Sequence, residues 1–94
     1  MLIIQQFMNN IDLNKKVAVV TGGIQGFGLA VVERFLRSGA EVVIWEKDKE
    51  LLDNFNIEGK IHKVQTDVSN FDSVEQSTNQ TIKLCGQIDI LINN

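Results

Sequence analysis

The sequence predicts an α/β fold built on a parallel sheet, and three observations carry that prediction. Four short strand-like segments, at residues 17–20, 42–45, 60–65 and 88–92, the first two wholly apolar, alternate with polar or amphipathic stretches of helical length. The first run, Val17-Ala18-Val19-Val20, has no polar alternation, as expected for a strand buried on both faces of a sheet. A glycine-rich turn, Thr21-Gly22-Gly23-Ile24-Gln25-Gly26-Phe27-Gly28, joins that run to the first helical stretch.

The elements follow in order. A strand is expected over 16–21, since this β-branched run is too short for a helix. Residues 27–37 place Phe27, Ala30, Val31, Phe35 and Leu36 on one side and Glu33, Arg34 and Arg37 elsewhere, which is an amphipathic helix. Gly39 is its left-handed cap. The second strand is 42–45. A short helix over 49–54 carries Leu51 and Leu52, with Phe55 completing its apolar stripe. The third strand, 60–65, is weaker because it holds His62 and Lys63. Asn70 caps a helix over 71–84 whose stripe is Phe71, Val74, Thr78, Ile82 and Cys85, and Gly86 stops it. The fourth strand is 88–92. Crossovers of this kind are right-handed and join parallel strands, so the predicted order is 3-2-1-4, a partial Rossmann-like sheet. Strand 4 is then an apolar edge.

Length and composition narrow the function. Ninety-four residues make one domain at most. A chain of this size buries only about 60–65% of its unfolded surface, so its core is thin. A net charge of −3 with scattered Lys and Arg gives no nucleic-acid surface. No run approaches the roughly 20 apolar residues that span a bilayer. The apolar start has no basic region or cleavage site, so a signal peptide is not expected, and the single cysteine reads as a reduced, cytoplasmic setting. Residues 1–11 read as a flexible tail and 12–94 as a partial dinucleotide-binding domain. Cys85 has no partner for an internal disulfide and reads as a small, half-buried side chain. His62 reads as a surface or edge residue. One histidine and one cysteine at wide spacing give no expectation of a metal site.

The glycine turn carries the binding chemistry. Gly22 permits a sharp exit from the first strand, and Gly26 lets backbone N–H groups at the helix start approach a pyrophosphate. Gly28 is expected to let the helix pack closely on the sheet, while Thr21 holds the turn through a local hydrogen bond. Ile24, Gln25 and Phe27 offer mainly backbone groups. Glu46 closes the second strand 24 residues after Gly22, where a carboxylate accepts from the ribose hydroxyls of an adenosine. A 2′-phosphate there would meet a like charge, so NAD is expected over NADP, with Lys47 as the complication. Asp67 is placed to accept from the adenine amino group while Val68 packs against the ring. Asn93 and Asn94 are placed to bond across strand ends near the cofactor. Each has a plainer alternative: an empty turn, a solvated strand-end charge at Glu46, a turn cap at Asp67.

Taken together these residues resemble the short-chain dehydrogenase/reductase family. Its cofactor turn Thr-Gly-x-x-x-Gly-x-Gly is met by Thr21, Gly22, Gly26 and Gly28. Its acidic residue closing strand 2 is met by Glu46, and its Asp-Val pair by Asp67-Val68. The stretch ending in Asn93-Asn94 resembles the approach to Asn-Asn-Ala-Gly, stopping after the second asparagine. The resemblance covers 12–94. It implies reversible hydride transfer between NAD(H) and an alcohol or carbonyl substrate, in a homo-oligomeric parent nearest to 3-oxoacyl-(carrier-protein) reductase-like members. It also implies that the catalytic serine and Tyr-x-x-x-Lys lie downstream of these residues, so no catalytic residue is assigned here and the chain reads as the N-terminal part of a longer protein. The alternative is an inactive nucleotide- or partner-binding module. A methyltransferase also uses a glycine turn and an acidic strand end, but the Thr-initiated spacing and the Asp-Val and Asn-Asn pairs argue against it.

A purified polypeptide of these 94 residues is expected to show no hydride transfer, because it has no tyrosine to act as the family's acid/base. Positioned proton transfer alone contributes about 10²–10⁴-fold in rate. NADH absorbance followed against a panel of small alcohols and ketones checks this. Turnover that survives repurification and disappears on a Gly26 substitution would refute it.

Overall fold

The computed structural model of the chain describes residues 11–94. Apart from Ile11, which is exposed, the expected tail at 1–11 lies outside them. Strand β1 (Val17–Thr21) is buried along its whole length, as its unbroken apolar run requires. It pairs in parallel with β2 (Glu41–Glu46) on one side and β4 (Ile90–Ile92) on the other, and β3 (Ile61–Gln65) pairs in parallel with β2. The sheet order is β3-β2-β1-β4, as the sequence predicts. The helices α1 (Gly26–Arg37), α2 (Lys49–Asn54) and α3 (Phe71–Cys85) fill the connections.

Strand parity divides the core into two layers. Val20, Val42 and Ile44 face Val32 of α1 and Leu52 of α2. Val17, Val19, Val43, Trp45 and Val64 face the other way, toward Val74 and Cys85 of α3. Caps set the helix limits. Asp48 accepts from the N–H groups of Glu50 and Leu51, and Asn70 accepts from Ser73 N–H. Gly39 (φ 93°) follows α1 and Gly86 (φ 84°) ends α3, both where the sequence places them.

The expected stripes hold in part: Val31, Phe35 and Leu36 of α1 and Val74 and Cys85 of α3 pack against the core, while other members do not. On α1, Phe27 is 72% exposed and Ala30 is exposed, while Val32 is fully buried. The reason is Gly28. It is pressed against the turn after β1, and the residue one turn on along the same face is Val32. On α3, Phe71 and Ile82 are exposed and the buried residues are Ser77 and Thr81. Apolar spacing reveals only Val74 and Cys85 of that face, because Ser77 and Thr81 are buried by virtue of partners on other elements. Ser77 Oγ and Thr66 Oγ1 lie 2.7 Å apart, and Thr81 Oγ1 accepts from Trp45 Nε1 at 3.2 Å. Each hydroxyl also has a backbone carbonyl in reach: Thr81 donates to Ser77 O and Thr66 to Val64 O.

Strand β4 begins two residues later than expected, at Ile90. Asp89 occupies the place of a ladder residue. Its carboxylate accepts from Val17 N–H at 2.8 Å, and its own N–H donates to Val17 O at 2.8 Å. Among the described residues β4 is paired on one side only, and Leu91 is exposed.

The Val17 N–H, assisted by Gln87 and Lys16 against desolvation, holds the Asp89 carboxyl below its ordinary value of 3.8. A lowered folded value stabilises the fold above the unfolded pKa, and that stabilisation is lost as pH falls through the folded value. The melting temperature of wild type should therefore exceed that of Asp89→Asn at about pH 6, with the gap closing on acidification below about pH 4. A gap that persists unchanged at the lowest pH would show that the charge of Asp89 is not what holds β1 to β4.

Candidate functional site

A cleft of about 190 Å³ opens at the C-terminal edge of the sheet, lined by residues from the ends of all four strands. Thr21 and Gly22 come from β1, Trp45, Glu46 and Lys47 from β2, Thr66, Asp67 and Val68 from β3, and Asn94 from β4. In a doubly wound sheet this edge, beside the point where strand order reverses between β1 and β4, is where ligand crevices form. A larger, shallower hollow of about 490 Å³ lies at the opposite end of the sheet, between Leu36, Ile57 and Gly59. It holds none of the ten candidate binding residues.

Five of the ten candidate residues line the cleft: Gly22, Glu46, Asp67, Val68 and Asn94. The other five sit on the turn beside it. Ile24 turns its side chain into the core layer of α1. Gln25 and Phe27 are exposed, and Gly26 has open space where a Cβ would stand. Gly26 also has φ +60°, a conformation that costs any other residue about 1–2 kcal/mol. The start of α1 has no side-chain cap and no acidic residue in its first turn, whereas α2 and α3 are both capped by side chains. Uncapped first-turn N–H groups are donors suited to an anion.

Two details of the turn differ from expectation. Gly28 allows a close approach, but not to the sheet. A Cβ there would stand 2.4 Å from Gly22 O and 2.7 Å from Asn94 Nδ2. Thr21 holds the turn by reaching β4 rather than by a local bond. Its hydroxyl accepts from Asn94 N–H at 2.9 Å and has Ile92 O and Asn93 Oδ1 as acceptors at 3.4 and 3.3 Å. Asn94 Nδ2 donates in turn to Gly22 O at 3.2 Å. The Asn93-Asn94 pair thus bonds across strand ends, as its sequence position implies.

The carboxylates are partly engaged. Glu46 is half-buried, and its Oε2 accepts from Asp48 N–H at 3.0 Å. Asp67 Oδ1 accepts from the hydroxyl and the N–H of Ser69, at 2.6 and 3.0 Å. These two bonds, with a weaker pull from Lys47 and against desolvation, hold the Asp67 carboxyl below 3.8. The Lys47 ammonium lies 3.9 Å from Asp67 Oδ2, a loose and exposed pair. Each acid therefore has one oxygen held by its own turn.

Sequence reading missed Trp45 and Thr66, which line the cleft although neither is a ligand type in the glycine-turn pattern. Both are held from below by α3, through Thr81 and Ser77. It also missed Gly23. A Cβ there would stand 2.9 Å from Val32 and 3.3 Å from Ile44, so the residue must be small for α1 to reach the sheet. The Gly22-Gly23 doublet was the available signal.

The sequence pattern of the short chain dehydrogenase family matches residues 16–94. The chain is 36% identical over 91 residues to 3beta-hydroxysteroid dehydrogenase 2 of Eggerthella lenta, covering 92% of this chain and 35% of the relative. It is 33% identical over 90 residues to the 3-oxoacyl-[acyl-carrier-protein] reductase of Chlamydia pneumoniae, covering 90% of this chain and 36% of that one. A crystal structure of a short chain dehydrogenase/reductase from Burkholderia phymatum in complex with NAD superposes with a TM-score of 0.78 at 28% identity, covering 86% of this chain and 31% of that one. The chain thus spans about a third of the length of each.

Replacing Gly28 with alanine should lower stability by about 1–3 kcal/mol, since the new methyl meets backbone rather than a movable side chain. The gain in helix propensity, at most about 1 kcal/mol, offsets part of this. A urea-unfolding midpoint equal to wild type would show that the turn has room to relax.

Proposed function

This chain belongs to the short-chain dehydrogenase family, and from that premise we propose that its cleft and glycine turn bind NAD(H) as the cofactor-binding portion of an oxidoreductase. The observation that carries the proposal is the contrast among helix starts. α2 and α3 are capped by Asp48 and Asn70, while α1 leaves its first turn uncapped, beside an open Gly26 and next to the cleft. A pyrophosphate would supply the acceptors that no side chain provides, at the positive end of the helix dipole.

In this reading the free oxygen of Glu46 accepts from the adenosine ribose hydroxyls, while its Oε2 stays on Asp48 N–H and fixes the carboxylate at the rim. Asp67 Oδ2 accepts from the adenine amino group, and the exposed Val68 side chain gives the ring an apolar surface. Backbone N–H groups of the turn around Ile24, Gln25, Gly26, Phe27 and Gly28 hold the phosphates. Asn94, tied to Thr21 and Gly22, limits how far the turn can open. When bound, the nicotinamide supplies the hydride chemistry. The residues described here bind and orient the cofactor.

The reaction proposed for the whole protein is interconversion of a small-molecule alcohol and its carbonyl. By their names the relatives act on a hydroxysteroid and on a 3-oxoacyl carrier protein, and both are alcohol/carbonyl pairs, which supports the reaction class. Among the described residues no helix is long and apolar enough to cross a membrane. NAD is favoured over NADP because the Glu46 carboxylate would face a 2′-phosphate, and the nearby Lys47 is drawn toward Asp67.

In the full-length protein, Glu46→Ala should weaken NAD binding about ten- to a hundredfold, the equivalent of one charge-assisted hydrogen bond of roughly 1.5–3 kcal/mol. It should spare or improve NADP. Paired Kd titrations on wild type and variant decide the matter. Tighter NADP than NAD in wild type would overturn the cofactor assignment. An equal loss of both would leave Glu46 as the residue that holds the 46–48 turn.

A further inference from the structure

At the opposite end of the sheet the fold assembles three side chains that the sequence keeps far apart. Glu41 opens β2, His62 is the second residue of β3 and Cys85 is the last residue of α3. Register explains the meeting. Val43 is opposite His62 in the β2–β3 pair, and Glu41 lies two residues before Val43, so all three point to the face covered by α3. There Cys85 packs against the core layer of Val17, Val43 and Val64.

We propose that Glu41, His62 and Cys85 form a binding site for a borderline-soft divalent transition metal such as Zn²⁺, with water completing a fourth position. The donor atoms are one carboxylate oxygen, one imidazole nitrogen and one sulfur, all within 4.8 Å of one another. Zinc takes this mixed donor set, and three protein ligands with one open position are its usual arrangement outside purely structural sites. Two anionic ligands and one neutral ligand balance the charge of the ion. The His62 and Glu41 side chains are 30% and 31% exposed, which leaves a route for the ion and room for its water.

The imidazole and the thiol converge on one carboxylate oxygen. His62 Nε2 lies 2.5 Å from Glu41 Oε2, and the Cys85 thiol donates to the same oxygen at 3.6 Å. Ligands at zinc bond lengths of about 2.0–2.3 Å stand roughly 3.3–3.8 Å apart around a tetrahedron. The sulfur–oxygen distance already fits. The nitrogen–oxygen pair must open by about an ångström as the ion enters, with the neutral imidazole binding through Nε2 and carrying its one proton on Nδ1. The thiol is pushed up to about 11, first by burial and then by the charge and hydrogen bond of Glu41. It therefore keeps its proton at neutral pH without an ion. Binding forms a metal–sulfur bond, breaks the S–H bond and releases that proton to solvent, so affinity rises with pH. Hard cations such as Mg²⁺ gain nothing from a thiolate and should not bind here.

The site is separate from the cleft, so its test is independent of the cofactor reading. Reduced, metal-free full chain is titrated with Co²⁺ and then Zn²⁺. One ion per chain is expected, with a thiolate-to-cobalt charge-transfer band and tetrahedral d–d bands that Zn²⁺ abolishes. The melting temperature should rise with Zn²⁺ and not with Mg²⁺. Cys85→Ser should remove the charge-transfer band, and His62→Gln and Glu41→Gln should each weaken binding at least about tenfold. Circular dichroism establishes that each variant is folded. If Cys85→Ser fails to fold, the two half-exposed ligands carry the same test. No charge-transfer band in folded wild type, or Co²⁺ affinity unchanged in His62→Gln and Glu41→Gln, would overturn the proposal.

Discussion

The arrangement at the top of the sheet depends on one close approach, that of α1 to the exit of β1 and the end of β4. Gly22 O receives Asn94 Nδ2 and lies where a side chain on Gly28 would begin. The Thr21 hydroxyl accepts from Asn94 N–H. Three segments far apart in sequence thus share one small volume, and each restricts the other two. Gly28 must lack a side chain, α1 must therefore present Val32 to the core, and β4 must end beside β1. The cleft then has a fixed wall on the β1 side, on which a bound phosphate would not have to impose order.

The wall opposite depends on a buried polar seam rather than on apolar packing. Trp45, Thr81, Ser77 and Thr66 are hydrogen-bonded in sequence beneath the cleft, and all four are buried. Each such bond contributes only about 1 kcal/mol net, but an orphaned buried partner costs about 1–3 kcal/mol. The seam therefore selects one rotation of α3 over its neighbours. That rotation leaves Phe71, Ile82 and Leu84 exposed and brings Cys85 to the start of β2 and β3. The same constraint thus sets the floor of the cleft and the ligand cluster at the other end.

The two ends of the sheet have opposite chemistry. At the C-terminal edge backbone donors gather around a turn with no capping side chain, and the nearby acids are engaged by their own turns. At the N-terminal edge an acid, an imidazole and a thiol converge with no glycine among them. Parallel strands make this possible. All carboxyl ends, with the turns that follow them, fall on one edge, and all amino ends on the other.

The sequence by itself determined the element order, the parallel pairing and the strand order, since short strand-like segments separated by helical stretches admit few other arrangements. It also marked Gly22, Glu46, Asp67, Val68 and Asn94 as neighbours, because residues that end successive parallel strands must share an edge. Helix faces were less legible. Apolar spacing finds Val31, Phe35, Leu36, Val74 and Cys85, which pack on the core. It also selects Phe27, Phe71 and Ile82, which are exposed because Gly28 and hydroxyls with partners on other elements complete the inward faces. The reach of Thr21 to Asn94 and the contact of Gly28 with Gly22 O were likewise decided only in three dimensions. So was the meeting of Glu41, His62 and Cys85. Strand register and helix rotation bring them together, and neither leaves a trace in local sequence spacing.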